Sequence, residues 1–134
     1  PRIDGCVRSD SAMSPWVFVL TALAGGLGAG LRFLLDTAVG KVLGDRVPWG
    51  IFGVNVTGSL ALGVLASIAP TVEVGWILGV GLLGGYTTFS AVAVSTVLLA
   101  EERRSMAAVG YAVGTLVASV AAAGLGLWLG GLAF

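Results

Sequence analysis

From about Val72 to Ala100 the chain is apolar over a length that would cross a membrane, yet its middle reads Gly84-Gly85-Tyr86-Thr87-Thr88-Phe89-Ser90. Paired glycines, an aromatic and two threonines are poor material for a helix interior: Gly costs about 1 kcal/mol relative to Ala, and Thr is stiff at χ1. A helix that breaks there frees backbone N–H and C=O groups deep in the bilayer. Each unsatisfied group costs several kcal/mol in lipid, so such a break persists only where it is buried in protein or lines a cavity or ion site. This stretch therefore predicts a broken third helix with a function attached.

The rest of the chain supplies the setting. Of 134 residues, 57% are hydrophobic and only 10% charged, too few polar residues to cover a soluble domain of this size. The fold class expected is an all-α membrane protein with four transmembrane helices, at about residues 16–39, 49–69, 72–100 and 106–132. Residues 15–134 form this four-span domain, preceded by a polar, disordered tail over 1–14. Met13, followed by Ser14-Pro15 and an apolar run, suggests translation starting there. The net charge is zero without a basic block, which argues against nucleic acid; with no His and a single Cys6 in the tail, disulfide frameworks and His/Cys chemistry are excluded within one chain.

The first span carries Gly26 and Gly30, a small-xxx-small pair that favours close helix approach. Arg32 and Asp36 follow on one face near the membrane boundary. Two readings of Arg32 stay open: a snorkelling anchor partnered by Asp36, or a positive charge at the mouth of an anion path. In the second span, Asn55 and Ser59 share a face while Thr57 points elsewhere. Asn55 reads either as inter-helix glue, worth about 0.6–2 kcal/mol, or as a donor lining a polar path. Pro70 to Gly75 reads as a tight turn. In the fourth span Tyr111, Thr115 and Ser119 climb one face, and Gly110-xxx-Gly114 and Gly126-xxx-Gly130 are packing signals.

Taken together, the glycine-rich first span ending in Arg32, Gly53-Val54-Asn55-Val56-Thr57-Gly58-Ser59, the Gly84–Ser90 stretch and the fourth-span hydroxyls resemble the CrcB/Fluc family of fluoride channels. The resemblance covers nearly the whole chain after the tail. It implies a multi-pass plasma-membrane protein, an antiparallel dimer with two fluoride pathways, and a structural sodium ion (Na+) that is not transported. It implies that the carbonyls of Gly84 and Thr87 hold the sodium, with the same pair from the partner. It also implies that Asn55, Phe89, Ser90, Tyr111, Thr115 and Ser119 line the fluoride path, with Arg32 in the vestibule. The Phe89 ring would offer its positive edge to the anion. The family pattern usually has a second Phe where this chain has Val92, which leaves either one sufficient ring or a related subunit that supplies the other.

Charge placement bears on that choice. Lys41, Arg46, Arg103 and Arg104 lie in the loops after the first and third spans, against Arg2 and Arg8 on the other side, or neither if translation starts at Met13. This bias predicts one preferred orientation with both termini outside the cytoplasm, and motivates a heterodimer with a homologous subunit, the homodimer remaining open. The function implied is passive, potential-driven fluoride efflux. A non-conducting or half-competent subunit is one alternative. A proton-coupled four-helix exporter is another, disfavoured because every acidic residue falls in the tail, near span ends or in loops. An enzyme is not expected: Gly26-Leu27-Gly28-Ala29-Gly30 has neither the strand nor the spacing of a phosphate loop.

Overall fold

The computed structural model describes residues 13–133, so residues 1–12 of the expected tail, Cys6 among them, lie outside the described residues. Four helical runs are long and apolar enough to cross a membrane: Pro15–Leu43, Trp49–Ile68, Val72–Glu101 and Ser105–Leu132. Helix α1 (Pro15–Leu43) starts with Pro in its first turn, where the missing N–H costs nothing, and ends at Gly44 with φ 78°. Pro48 precedes α2 (Trp49–Ile68). Ala69 is held extended before Pro70, which stops α2.

The third run is composite. Thr71 accepts the Val74 N–H through Oγ1 at 3.2 Å and caps the single turn α3 (Val72–Val74). The turn read from sequence as Pro70 to Gly75 is therefore shorter, because the Thr71 cap starts the helix at Val72. Gly75–Leu83 is π-helical, here π1, and the single turn α4 (Gly84–Tyr86) follows it. Thr87 and Thr88 then leave helical geometry, with φ/ψ of −76°/156° and −154°/128°. Thr88 Oγ1 accepts the Ala91 N–H at 3.2 Å and caps α5 (Phe89–Glu101). After Arg103, at φ 60°, α6 (Ser105–Leu132) completes the bundle.

Glycines set how closely these helices meet. Alongside π1 and α4, α1 runs parallel: a Cβ at Gly28 would strike the Leu82 carbonyl and come within 2.8 Å of Tyr86 N, and one at Gly85 would strike the Gly25 carbonyl. The contact uses Gly25 and Gly28, not the Gly26–Gly30 pair singled out in the sequence. A Cβ at Gly26 or Gly30 meets nothing within 4 Å among the described residues. One residue turns a helix by about 100°, which carries Gly26 off the packed stripe.

A second close contact joins α2 and α6. A Cβ at Gly126 would strike the Leu60 carbonyl and one at Gly130 would sit 2.5 Å from Ser67 Cβ, so Gly126-xxx-Gly130 is a packing face. Around Gly110 and Gly114 nothing lies within 4 Å among the described residues. Ser67 Oγ also donates to the Leu127 carbonyl at 3.0 Å. The buried apolar cluster is Ile51, Val92, Leu99, Ala108 and Tyr111, drawn from α2, α5 and α6. At the loop end of the bundle, Arg104 donates to the Arg46 carbonyl and lies 3.8 Å from the Glu102 carboxylate, tying the α5–α6 loop to the α1–α2 loop.

Candidate functional site

A groove of about 830 Å³ runs between α2, the Thr87–Thr88 linker, α5 and α6. Its walls are Asn55 and Ser59 from α2, Gly84, Thr87 and Thr88 around the linker, Phe89, Val92 and Thr96 from α5, and Thr115, Leu116 and Ser119 from α6. Apolar side chains dominate the lining, and the polar groups gather where α2 faces the linker.

Asn55 is the most tightly held of these polar groups. It is 7% exposed. Its Nδ2 donates to the Ile51 carbonyl at 3.1 Å and to the Thr88 carbonyl at 3.0 Å, while its Oδ1 accepts the Thr88 N–H at 2.8 Å. The side-chain amide thus pairs with the linker backbone in both directions. Because a backbone N–H can only donate, it fixes which end of the carboxamide is oxygen.

The other linker groups are held from within the third run and from α2. Thr87 Oγ1 donates to the Leu83 carbonyl at 2.9 Å, as does the Thr87 N–H at the same distance. Thr88 Oγ1 lies 3.1 Å from Ser90 Oγ. One residue earlier, the Tyr86 hydroxyl sits 3.0 Å from Thr57 Oγ1, and its ring lies over Gly58, where a Cβ would come within 3.0 Å of Cδ1. Neither Tyr86 nor Thr57 figured among the site residues read from sequence. The signal available was Gly58, whose missing side chain leaves room for a neighbouring ring.

The remaining candidates divide. Phe89 is 86% exposed on the single chain and, with exposed Gly84, stands at the groove's edge, while Ser90 is exposed but does not line the groove. The three fourth-span hydroxyls do not behave alike. Thr115 is 4% exposed and donates to the Tyr111 carbonyl at 2.7 Å, the usual back-bond of a hydroxyl in a membrane helix. Tyr111 packs in the apolar cluster rather than on the groove wall. Ser119 lines the groove, and its Oγ, like the Tyr111 hydroxyl, is buried without a hydrogen-bond partner among the described residues.

Val92, which stands where a second ring was looked for, is buried at 9% exposure in that same cluster while also edging the groove. Arg32 lies away from the groove, half-buried, with Nε unpartnered among the described residues. It forms no ion pair with Asp36 among the described residues. Asp36 instead packs against Gly50 in the first turn of α2, where a carboxylate is favoured by the helix dipole.

The chain is 44% identical over 125 residues to "Fluoride-specific ion channel FluC 1" of Leifsonia xyli subsp. xyli (strain CTCB07), covering 90% of this chain and 91% of that protein. It is 40% identical over 116 residues to "Fluoride-specific ion channel FluC" of Chelativorans sp. (strain BNC1), covering 83% and 93%. With "Fluoride-specific ion channel FluC 2" of Mycobacterium bovis (strain ATCC BAA-935 / AF2122/97) the identity is 36% over 123 residues, covering 92% and 98%. The profile described as "CrcB-like protein, Camphor Resistance (CrcB)" matches residues 19–127, from the first turns of α1 to near the end of α6. The chain is a multi-pass membrane protein and belongs to the CrcB-like family.

Proposed function

We propose that the chain is a subunit of a fluoride-specific ion channel, and not an enzyme, that lowers cytoplasmic fluoride by passive efflux. The observation that carries the reading is the groove beside the Thr87–Thr88 linker in a chain 44% identical to a protein of that name. Fluoride enters as neutral hydrofluoric acid, dissociates, and is trapped as the anion. An inside-negative potential then drives it out through a selective pore, at about 2.3 kcal/mol per charge per 100 mV.

The chemistry required is a dry path that replaces tightly held water with donors and positive ring edges. Phe89 offers a ring edge at the mouth, Ser90 offers a hydroxyl beside it, and Ser119 brings a hydroxyl with no other commitment among the described residues, whereas the Thr115 hydroxyl is already given to the Tyr111 carbonyl. Asn55 and Tyr111 flank this path, and Arg32 supplies a fixed positive charge on α1, away from the groove. The linker is, on this reading, a break at mid-membrane. There the negative end of the helix finishing at Tyr86 and the positive end of α5 meet, which suits a cation on one side and a passing anion on the other.

A sodium ion fits the first of these places. In a continuous helix the Thr88 N–H would serve the Gly84 carbonyl and the Ala91 N–H the Thr87 carbonyl. Here those donors go to Asn55 Oδ1 and Thr88 Oγ1. Gly84 and Thr87 would therefore hold the ion through carbonyl oxygens, the ligand a hard cation prefers. When bound, it would neutralise carbonyl dipoles that lipid cannot solvate. A single chain leaves Phe89 and the groove facing outward, which supports completion by a second, antiparallel copy or a homologous subunit.

A second reading follows from Val92: without a ring there, the chain serves as a half-competent or non-conducting partner in a heterodimer. Liposomes holding the chain alone, and then with a homologous chain, test both. Fluoride efflux far exceeding chloride efflux is expected. Efflux from the chain alone removes the heterodimer reading, and absence of fluoride-selective efflux in every combination overturns the channel.

A further inference from the structure

We infer that Ser59 of α2 is an anion-solvating residue, which with Ser119 of α6 forms a two-hydroxyl station for fluoride on the groove wall. The identity of the anion rests on the channel reading above; the pairing of the two serines does not.

That pairing follows from how α2 and α6 lie together. A Cβ at Gly63 would strike the Ala123 carbonyl, and Ser67 Oγ donates to the Leu127 carbonyl at 3.0 Å. Leu127 stands 60 residues beyond Ser67, and Ala123 stands equally far beyond Gly63, so the two helices run parallel in one register. One turn earlier, about four residues on each helix, Ser59 stands opposite Ser119. Further turns set Asn55 opposite Thr115 and Ile51 opposite Tyr111. The first of these pairs lines the groove and the second lies in the buried apolar cluster, so the register holds along the contact. Ser59 and Ser119 themselves line the groove, one turn from the point where Gly63 lets the helices close together.

Their hydroxyls are set apart by having nothing to hold. Thr21, Thr57, Thr96 and Thr115 each donate to the carbonyl four residues back, at 2.7–2.8 Å. A hydroxyl in a membrane helix usually satisfies itself in this way. Ser67 is committed to α6. Ser59 makes no hydrogen bond among the described residues, and Ser119 Oγ is buried with none. A serine hydroxyl carries one donor that rotates to suit its partner. Two such donors on facing walls of a mostly apolar groove give a small anion something in exchange for its water. The charge on the anion makes each of those bonds stronger than one to a neutral acceptor.

Serine labelled with ¹³C at Cβ reports on the station directly. The full chain in liposomes, alone and with a homologous chain, is moved from sodium chloride to sodium fluoride at constant ionic strength. The Ser59 and Ser119 signals, identified by their disappearance in Ser59→Ala and Ser119→Ala, should shift, and that of Ser67 should not. In Ser59→Ala, the fluoride concentration that half-shifts Ser119 should rise about tenfold, as loss of one hydrogen bond to an ion predicts. Fluoride efflux should fall by a similar factor, and with it the preference for fluoride over chloride. Ser67→Ala, the same change away from the groove, should leave efflux and preference as they are. Ser59→Cys identifies the same signal should the alanine chain not fold.

Groove serine signals blind to fluoride in every assembly overturn the station, and fluoride-selective efflux measured beside them leaves the channel reading standing. Shifts without efflux keep the station and overturn the channel. A Ser59→Ala chain whose Ser119 response is unaltered overturns the station. So does a Ser67→Ala chain that loses preference to the same extent, because packing alone then accounts for the loss.

Discussion

Gly26 and Gly28 stand two residues apart on α1 and face different worlds. A side chain at Gly28 would collide with the backbone of π1 and α4, whereas one at Gly26 would enter open space among the described residues. Gly28→Ala should therefore destabilise the fold by about 1–3 kcal/mol through overpacking. Gly26→Ala should gain up to about 1 kcal/mol of helix propensity in the single chain. Thermal unfolding in detergent separates the two. Phe89 makes a complementary case. At 86% exposure it contributes little to the fold, so Phe89→Ala should leave the unfolding temperature unchanged while cutting fluoride efflux about tenfold, the worth of one aromatic edge contact. Which of these residues mattered was only half legible in the sequence. Glycines and a lone Phe mark themselves, but the stripe that packs is decided by helix rotation, and a count of small-xxx-small pairs does not contain that angle.

Among the elements, helix starts were the best-announced features. Pro15, Pro48 and Thr88 each carry a local reason to begin a helix that survives in the fold. The Pro70–Gly75 turn was overdrawn because Thr71 caps a helix as well as ending a turn. The nine π-helical residues Gly75–Leu83 had no signature at all. A π-helix arises where packing of both flanks demands one residue more per turn than an α-helix provides, and its residue types are those of any apolar span. This gives a test at the scale of the element. Deleting Val80, an outward-facing residue of π1, lets the remaining residues tighten toward α-helix, so that α4 turns by less than the about 100° that a deletion within an α-helix imposes. Deleting Leu62 from α2 offers no such slack, and turns half of that helix by about 100° against α6. The Val80 deletion should express and unfold near the native temperature in detergent, and the Leu62 deletion should not.

For the molecule as a whole, composition alone was enough for four spans, because no soluble packing hides so much apolar surface. The clamp between Asn55 and Thr88 was not legible as such. It joins residues 33 apart in sequence, and an amide in a membrane helix reads equally well as glue or as a pore group until its partner is seen. Orientation is a property of the entire chain and can be tested there. Replacing Lys41, Arg46 and Arg103 with Gln removes most of the loop bias while sparing the Arg104 side chain. Accessibility of cysteines placed in the two loop sets should then change from one-sided to mixed.

Arg104 itself reaches from the loop before α6 to the carbonyl of Arg46 in the loop before α2. The two hairpins of the bundle are thus stitched together along one edge, much as pages are bound at the spine, and the stitch lies at the end that also carries the basic residues. Lateral strain in a stretched or thinned bilayer would be resisted there and accommodated at the opposite edge, where the Pro70–Thr71 turn links α2 to the third run. A molecule bound on one side has a stiff face and a yielding one, and the direction in which it is inserted decides which of the two the cytoplasm meets.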